Sequence, residues 1–147
     1  MAIHPLVPGI EITIHVDNQP LREYMADNDK VQHSNVEVIR YKEERTTTNF
    51  IESETGKEFV VVLKLDKTYK MDCNALSFRV IVDGTMIWGG LLDAKELKND
   101  PTTQSWRYTI RGPTTHRGEE RTYRPMRFAE ILTSELGTMY LIGDHRG

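Results

Sequence analysis

Six arginines, Arg107, Arg111, Arg117, Arg121, Arg124 and Arg127, fall within 21 residues of a chain that carries no lysine beyond Lys98. A guanidinium is a rigid fork of N–H donors that matches carboxylates and phosphates and stacks on aromatic rings, so an all-arginine choice can encode recognition. The plainer reading is that exposed strand and loop positions need charge. Alternation places Arg107 and Arg111 on the face opposite Trp106, Tyr108 and Ile110. The indoles of Trp88 and Trp106 can stack on sugars or bases, but both sit on apolar strands, where core packing is the ordinary outcome. Gly89-Gly90 beside Trp88 would let backbone or ligand approach closely. The candidate binding residues are therefore Trp88 and the six arginines of segment 107–127.

Catalytic and metal chemistry finds less support. Cys73 is the lone cysteine, and neither spacing nor local motif gives it a histidine base, which leaves a half-buried structural thiol. None of His4, His15, His33, His116 and His145 forms the i, i+4 pair of a helical zinc site. Asp27-Asn28-Asp29-Lys30 imitates a calcium loop, yet Gln32 and Val38 stand where the turn glycine and the closing glutamate belong. Glu52, Glu54 and Glu58 surround one turn, which exposes them to water rather than holding two acids across a cleft. Gly56-Lys57 is no phosphate loop, because Ile51 and Glu58 replace its first glycine and its hydroxyl residue. No residue is assigned a catalytic role, no metal ligand is assigned and no cofactor is expected.

The elements that must position these residues are short and alternating. Ile10, Ile12, Ile14 and Val16 alternate with Glu11, Thr13 and His15, and Leu76, Phe78, Val80 and Val82 do the same further on. Side chains on a strand point to opposite faces with period two, so each stretch reads as a strand with one face in a core. Phe59–Leu63 is apolar without alternation and predicts a central strand buried on both faces. Asp83-Gly84 is the strongest hairpin signal, with Met86-Ile87-Trp88 as the returning strand and Gly89-Gly90 as a bend or bulge. Thr46–Glu52 favours extended backbone from about Arg45 onward, and Ala94–Leu97 suggests one helical turn. A polar tip runs from Thr114 to Glu120, and Pro125 marks an edge strand or an irregular crossing. Phe128–Leu132 suggests a short helix and Met139–Ile142 a last strand. Residues 21–44 read as a polar loop within the domain.

The expected fold is all-β, a single-domain β-sandwich of jelly-roll type over residues 1–147 with at most one or two short helices. No stretch approaches the ~20 apolar residues of a membrane span, so no membrane partner is expected. The single cysteine, the missing glycosylation acceptor and a start unlike a signal peptide together predict an intracellular setting, cytoplasmic or nuclear. Net charge is −3, but unevenly spread. Residues 1–100 hold 12 Lys+Arg against 17 Asp+Glu, whereas residues 101–147 hold seven Arg against five acids. That balance disfavours a dedicated nucleic-acid binder while leaving the arginine segment basic.

Three stretches carry a family resemblance: Pro8–Asp17, Phe50–Phe59 and Ala75–Gly84, with Leu136-Gly137-Thr138 near the end. In these the chain resembles a group of uncharacterised fungal proteins that share a β-rich domain of unknown function. The resemblance implies a fungal source and the β-rich fold, and it assigns no site residue. The leading expectation is a non-enzymatic module that binds a protein partner. Nucleic-acid or phospholigand binding through segment 107–127 is the first alternative, and an enzyme built on Cys73 or a carboxylate pair the second.

Overall fold

The computed structural model describes residues 2–3, 7–25, 35–43, 46–98, 105–118 and 120–130. Its elements run β1 (Ala2–Ile3), β2 (Ile10–Val16), β3 (Gln19–Pro20), β4 (Glu23–Met25), α1 (Val36–Glu43), β5 (Asn49–Ile51) and β6 (Glu58–Leu65). There follow β7 (Ala75–Val82), β8 (Thr85–Asp93), α2 (Ala94–Lys98), β9 (Trp106–Ile110), β10 (Thr114–Arg117), β11 (Glu120–Tyr123) and β12 (Met126–Arg127). Among the described residues every strand pairing is antiparallel and the helices are short, so the all-β expectation holds. No described helix is long and apolar enough to cross a membrane.

The unbroken apolar run in β6 earns its place at the centre. β2 pairs along one edge of β6, while β9 and β12 share the other. Residues directly opposite each other in an antiparallel ladder share a face. Three apolar rows therefore cross the sheet: Ile10–Leu65–Trp106, Ile12–Leu63–Tyr108 and Ile14–Val61–Ile110. The other face carries the row Glu11–Lys64–Arg107, with a Lys64–Glu11 ion pair of 3.4 Å. It also carries Thr13–Val62–Thr109, with Thr13 bonded to the His15 ring at 2.9 Å.

The apolar rows need a cover, and the β7–β8 hairpin supplies it. Phe78, Val80, Val82, Ile87 and Trp88 pack against the buried cluster Val61, Leu63, Ile110 and Met126. Phe78 stacks on Trp106 with ring centroids 5.5 Å apart. The result is a sheet with a second β layer upon it, held by interdigitating apolar side chains. The described pairing stops short of a jelly roll, because the second layer has two strands. The layers part toward β12, leaving a cavity of ≈ 580 Å³ lined by Ile14, Phe59, Leu63, Phe78, Val82 and Phe128, among others.

Several local expectations are corrected. The hairpin turn forms at Asp83-Gly84, both at positive φ (48° and 75°), but the bulge is not at Gly89-Gly90. Val80 faces Trp88 while Ile81 faces Met86, so Ile87 is the extra residue. A bulge lets adjacent side chains turn the same way, and both Ile87 and Trp88 reach the core. The stretch 21–44, expected as a loop, contains β4 and the eight-residue α1. Asn35 explains the helix start: its side-chain oxygen accepts from the Glu37 N–H at 2.9 Å, a cap the polar composition concealed. The strand expected from Arg45 is only the three residues of β5. Phe128–Glu130 is not helical, and Phe128 instead exchanges backbone bonds with Lys57 and Gly56. The remainder of that expected helix, the strand Met139–Ile142 and the Asp27–Lys30 cluster lie outside the described residues.

The loop after β6 is tied to the start of β2. The Asp66 N–H donates to the Gly9 carbonyl at 2.9 Å, and the Asp66 carboxylate accepts from both the hydroxyl and the N–H of Thr68. Those two bonds hold the Asp66 carboxyl below its ordinary value of 3.8. A depressed folded-state value contributes stability above the unfolded value and loses it as pH falls through the folded one. Asp66→Asn is therefore expected to lower the melting temperature at pH 7, by a margin that shrinks as pH falls below 3.8. Melting curves recorded from pH 7 downward check this. A deficit that does not change with pH would assign the loss to geometry rather than charge.

Candidate functional site

The arginine segment is shaped by a crossing that the sequence presents as Gly112-Pro113 and Pro125. After β9 the chain passes directly against residues 124–126. The Arg124 N–H donates to the Pro113 carbonyl at 3.0 Å, and the Met126 N–H donates to the Arg111 carbonyl at 3.4 Å. Gly112 is buried here at φ +148°, and a Cβ on it would strike the Arg124 carbonyl oxygen. From this base the β10–β11 hairpin rises with its β11 side chains exposed, where a polar tip was expected.

Register decides which hairpin side chains meet. Thr114 faces Tyr123 and His116 faces Arg121, so these four share one face. The Arg111 guanidinium lies 6.0 Å from the Tyr123 ring centroid, a cation–π distance. Between this face and the sheet is a cleft of ≈ 210 Å³, lined by Trp88, Tyr108, Arg111, Thr114, Arg121 and Tyr123 with their neighbours. Its aromatic lining includes the Trp88–Tyr108 pair, centroids 4.9 Å apart, which continues through Tyr108–Trp106 at 5.9 Å into the core. A separate cleft of ≈ 190 Å³ on the other side of Arg111 and Tyr123 contains His15, Asp17 and Glu58.

The structure thus gathers Trp88, Arg111 and Arg121 and disperses the other candidates. Arg107 lies on the far face of the sheet, in register with Lys64. Arg127 pairs with Glu58 at 2.6 Å and lines the cavity between the layers. Arg124 is exposed at the crossing, and the Arg117 side chain lies outside the described residues. Arg111 and Arg121 make no ion pair among the described residues. Tyr123 and Gly112 were missed by sequence reasoning. The signal for Tyr123 was its i, i+2 spacing from Arg121, which puts both on one strand face.

Trp88 keeps its pose because Gly90 lacks a side chain. The two residues share a face of β8, and a Cβ at Gly90 would run into the six-membered ring of the indole. Gly90→Ala is expected to displace Trp88 from Tyr108 at a cost of about 1–3 kcal/mol, the usual range for overpacking. A red-shifted tryptophan emission together with a lower melting temperature would report it; unchanged emission would show that the ring is not held this way.

The residues considered for catalysis stand apart. Cys73 is exposed, not half-buried, and its thiol donates to the Ala75 carbonyl oxygen at 3.2 Å. Glu52 accepts the Tyr24 hydroxyl at 2.7 Å, which raises that tyrosine's pKa, and Glu58 is held by Arg127. Among the described residues no three His, Cys, Asp or Glu side chains gather as a metal site. The cleft brings together two guanidinium groups, threonine hydroxyls and aromatic rings.

A two-layer β domain with an arginine-walled cleft beneath a projecting hairpin is the class of protein this describes. The chain belongs to the family of the Domain of unknown function (DUF7918), whose model matches residues 9–140. No curated protein and no solved structure matches it.

Proposed function

We propose that this domain is a non-enzymatic protein-interaction module, with the β10–β11 hairpin and the cleft beneath it as its contact face. The observation that supports this most is the convergence of Trp88, Arg111 and Arg121, from β8, the end of β9 and β11, around one open cleft. Aromatic and arginine side chains are the types enriched where binding energy concentrates in protein interfaces. A hairpin that carries exposed charge on a fixed base can present them without burying a backbone edge. The module is taken to work inside a fungal cell. The single exposed cysteine fits a reducing compartment, and the stretches resembling fungal proteins suggest the source.

The test is capture of partners by the tagged chain and by a variant with Arg117, Arg121 and Arg124 replaced by glutamate, with nuclease present. A stoichiometric protein captured by the parent and lost by the folded variant is the expected result. Capture that is indifferent to the three charges would remove the hairpin as the contact face. Recovery that disappears with nuclease would transfer the arginines to nucleic-acid binding, which should also weaken steeply with salt.

A further inference from the structure

We propose that the partner segment held by this cleft is acidic, and that its anchor is one carboxylate side chain placed between Arg111 and Arg121 over the Trp88 ring. This deepens the interaction reading and rests on it. Size limits the anchor first. Small-molecule pockets run about 300–1,000 Å³, and this cleft, at ≈ 210 Å³, has room for a single side chain.

Charge selects its chemistry. Among the described residues the cleft is lined by two arginines, threonine hydroxyls, tyrosines and Trp88, with no acidic side chain. Neither guanidinium has a carboxylate partner among the described residues, so each has N–H donors to offer. A carboxylate matches that fork geometry and makes the stronger, charge-assisted kind of hydrogen bond. The neighbouring spaces do not compete. The cleft beyond Arg111 already contains Asp17 and Glu58, and the cavity between the layers has Asp83 and Glu130 beside Arg79 and Arg127. An extended polyanion such as a nucleic acid would have to pass those acids, and residues 1–100 carry five more negative charges than positive. A short acidic peptide segment need reach only the described lining of this cleft, whose charged side chains are Arg111 and Arg121.

Trp88 supplies the readout. With two tryptophans in the chain, Trp106→Phe leaves Trp88 as the only indole. Octaglutamate, octaglutamine and an eight-nucleotide oligothymidylate are titrated at low salt, with Trp88 emission recorded. Calorimetry on the unsubstituted chain gives the same comparison if Trp106→Phe fails to fold. Saturable binding of octaglutamate but not octaglutamine is expected, weakened roughly tenfold or more by Arg111→Gln or Arg121→Gln, as loss of one charge-assisted bond implies. Equal binding by these variants, no octaglutamate binding, or tighter binding of oligothymidylate would each overturn the proposal. Failure here with partner capture still dependent on the hairpin arginines would leave the interaction reading standing without an acidic anchor. Octaglutamate binding in a chain that captures no protein through the hairpin would overturn the interaction reading and, with it, the partner named here.

Discussion

Leu65→Ala is expected to cost about 3–5 kcal/mol and Leu63→Ala about 2–3 kcal/mol, the upper and lower parts of the range for truncating buried leucines. Both side chains sit on the apolar face of β6, at 0% and 2% exposure. Each is flanked in register, Leu65 by Ile10 and Trp106, Leu63 by Ile12 and Tyr108. Backbone ladders on both sides fix those neighbours, so the wall cannot collapse into the space a truncation leaves. What separates the two is the cavity between the layers, which Leu63 lines and Leu65 does not. A side chain bordering a void has fewer atoms to lose contact with, since dispersion is summed over close neighbours. Denaturant unfolding of the two variants measures the order. Lys64→Ala, on the exposed face between them, serves as the control and should change stability by no more than about 0.5 kcal/mol. Should Leu63→Ala prove the costlier, the gap between the layers is filled in solution.

The same contrast explains how far the sequence could be read. Strand periodicity is a local signal, so β2, β6, β7 and β9 were legible from the alternation or continuity of their own side chains. The Asp83-Gly84 turn was legible because two residues at positive φ are a demand only a few residue types meet. The bulge was misplaced at the glycines because its cause is not local. It is set by the need to bring both Ile87 and Trp88 onto the core, which no residue of β8 announces by itself. The α1 helix was hidden by its charged composition, its cap being the one local cue. The candidate site was legible in its residue types and illegible in its geometry. Six arginines in one segment look equivalent, yet Arg107, Arg121 and Arg127 end on three different surfaces. That sorting is decided by strand register and by the crossing at Gly112.

Gly112→Ala is expected to be the most damaging change near the site, at about 2–5 kcal/mol, and to abolish octaglutamate binding in whatever protein remains folded. Two costs combine. An L-residue at a φ of +148° is strained by about 1–3 kcal/mol. The added Cβ also meets the Arg124 carbonyl oxygen, which belongs to backbone and cannot swing aside as a flexible side chain would. Relief requires the two passing strands to separate, and that breaks the bonds from Arg124 to Pro113 and from Met126 to Arg111. Those bonds seat the hairpin, so the same movement carries Arg121 and Tyr123 away from Trp88. Gly118→Ala isolates the effect. That glycine, at the hairpin tip, also has positive φ (61°), but a Cβ there meets nothing within 4 Å. It should cost only the left-handed strain, about 1–2 kcal/mol, and leave binding intact. Unfolding curves and Trp88 emission of the two variants separate backbone strain from the crossing. Equal losses in both would mean that the crossing does not seat the hairpin.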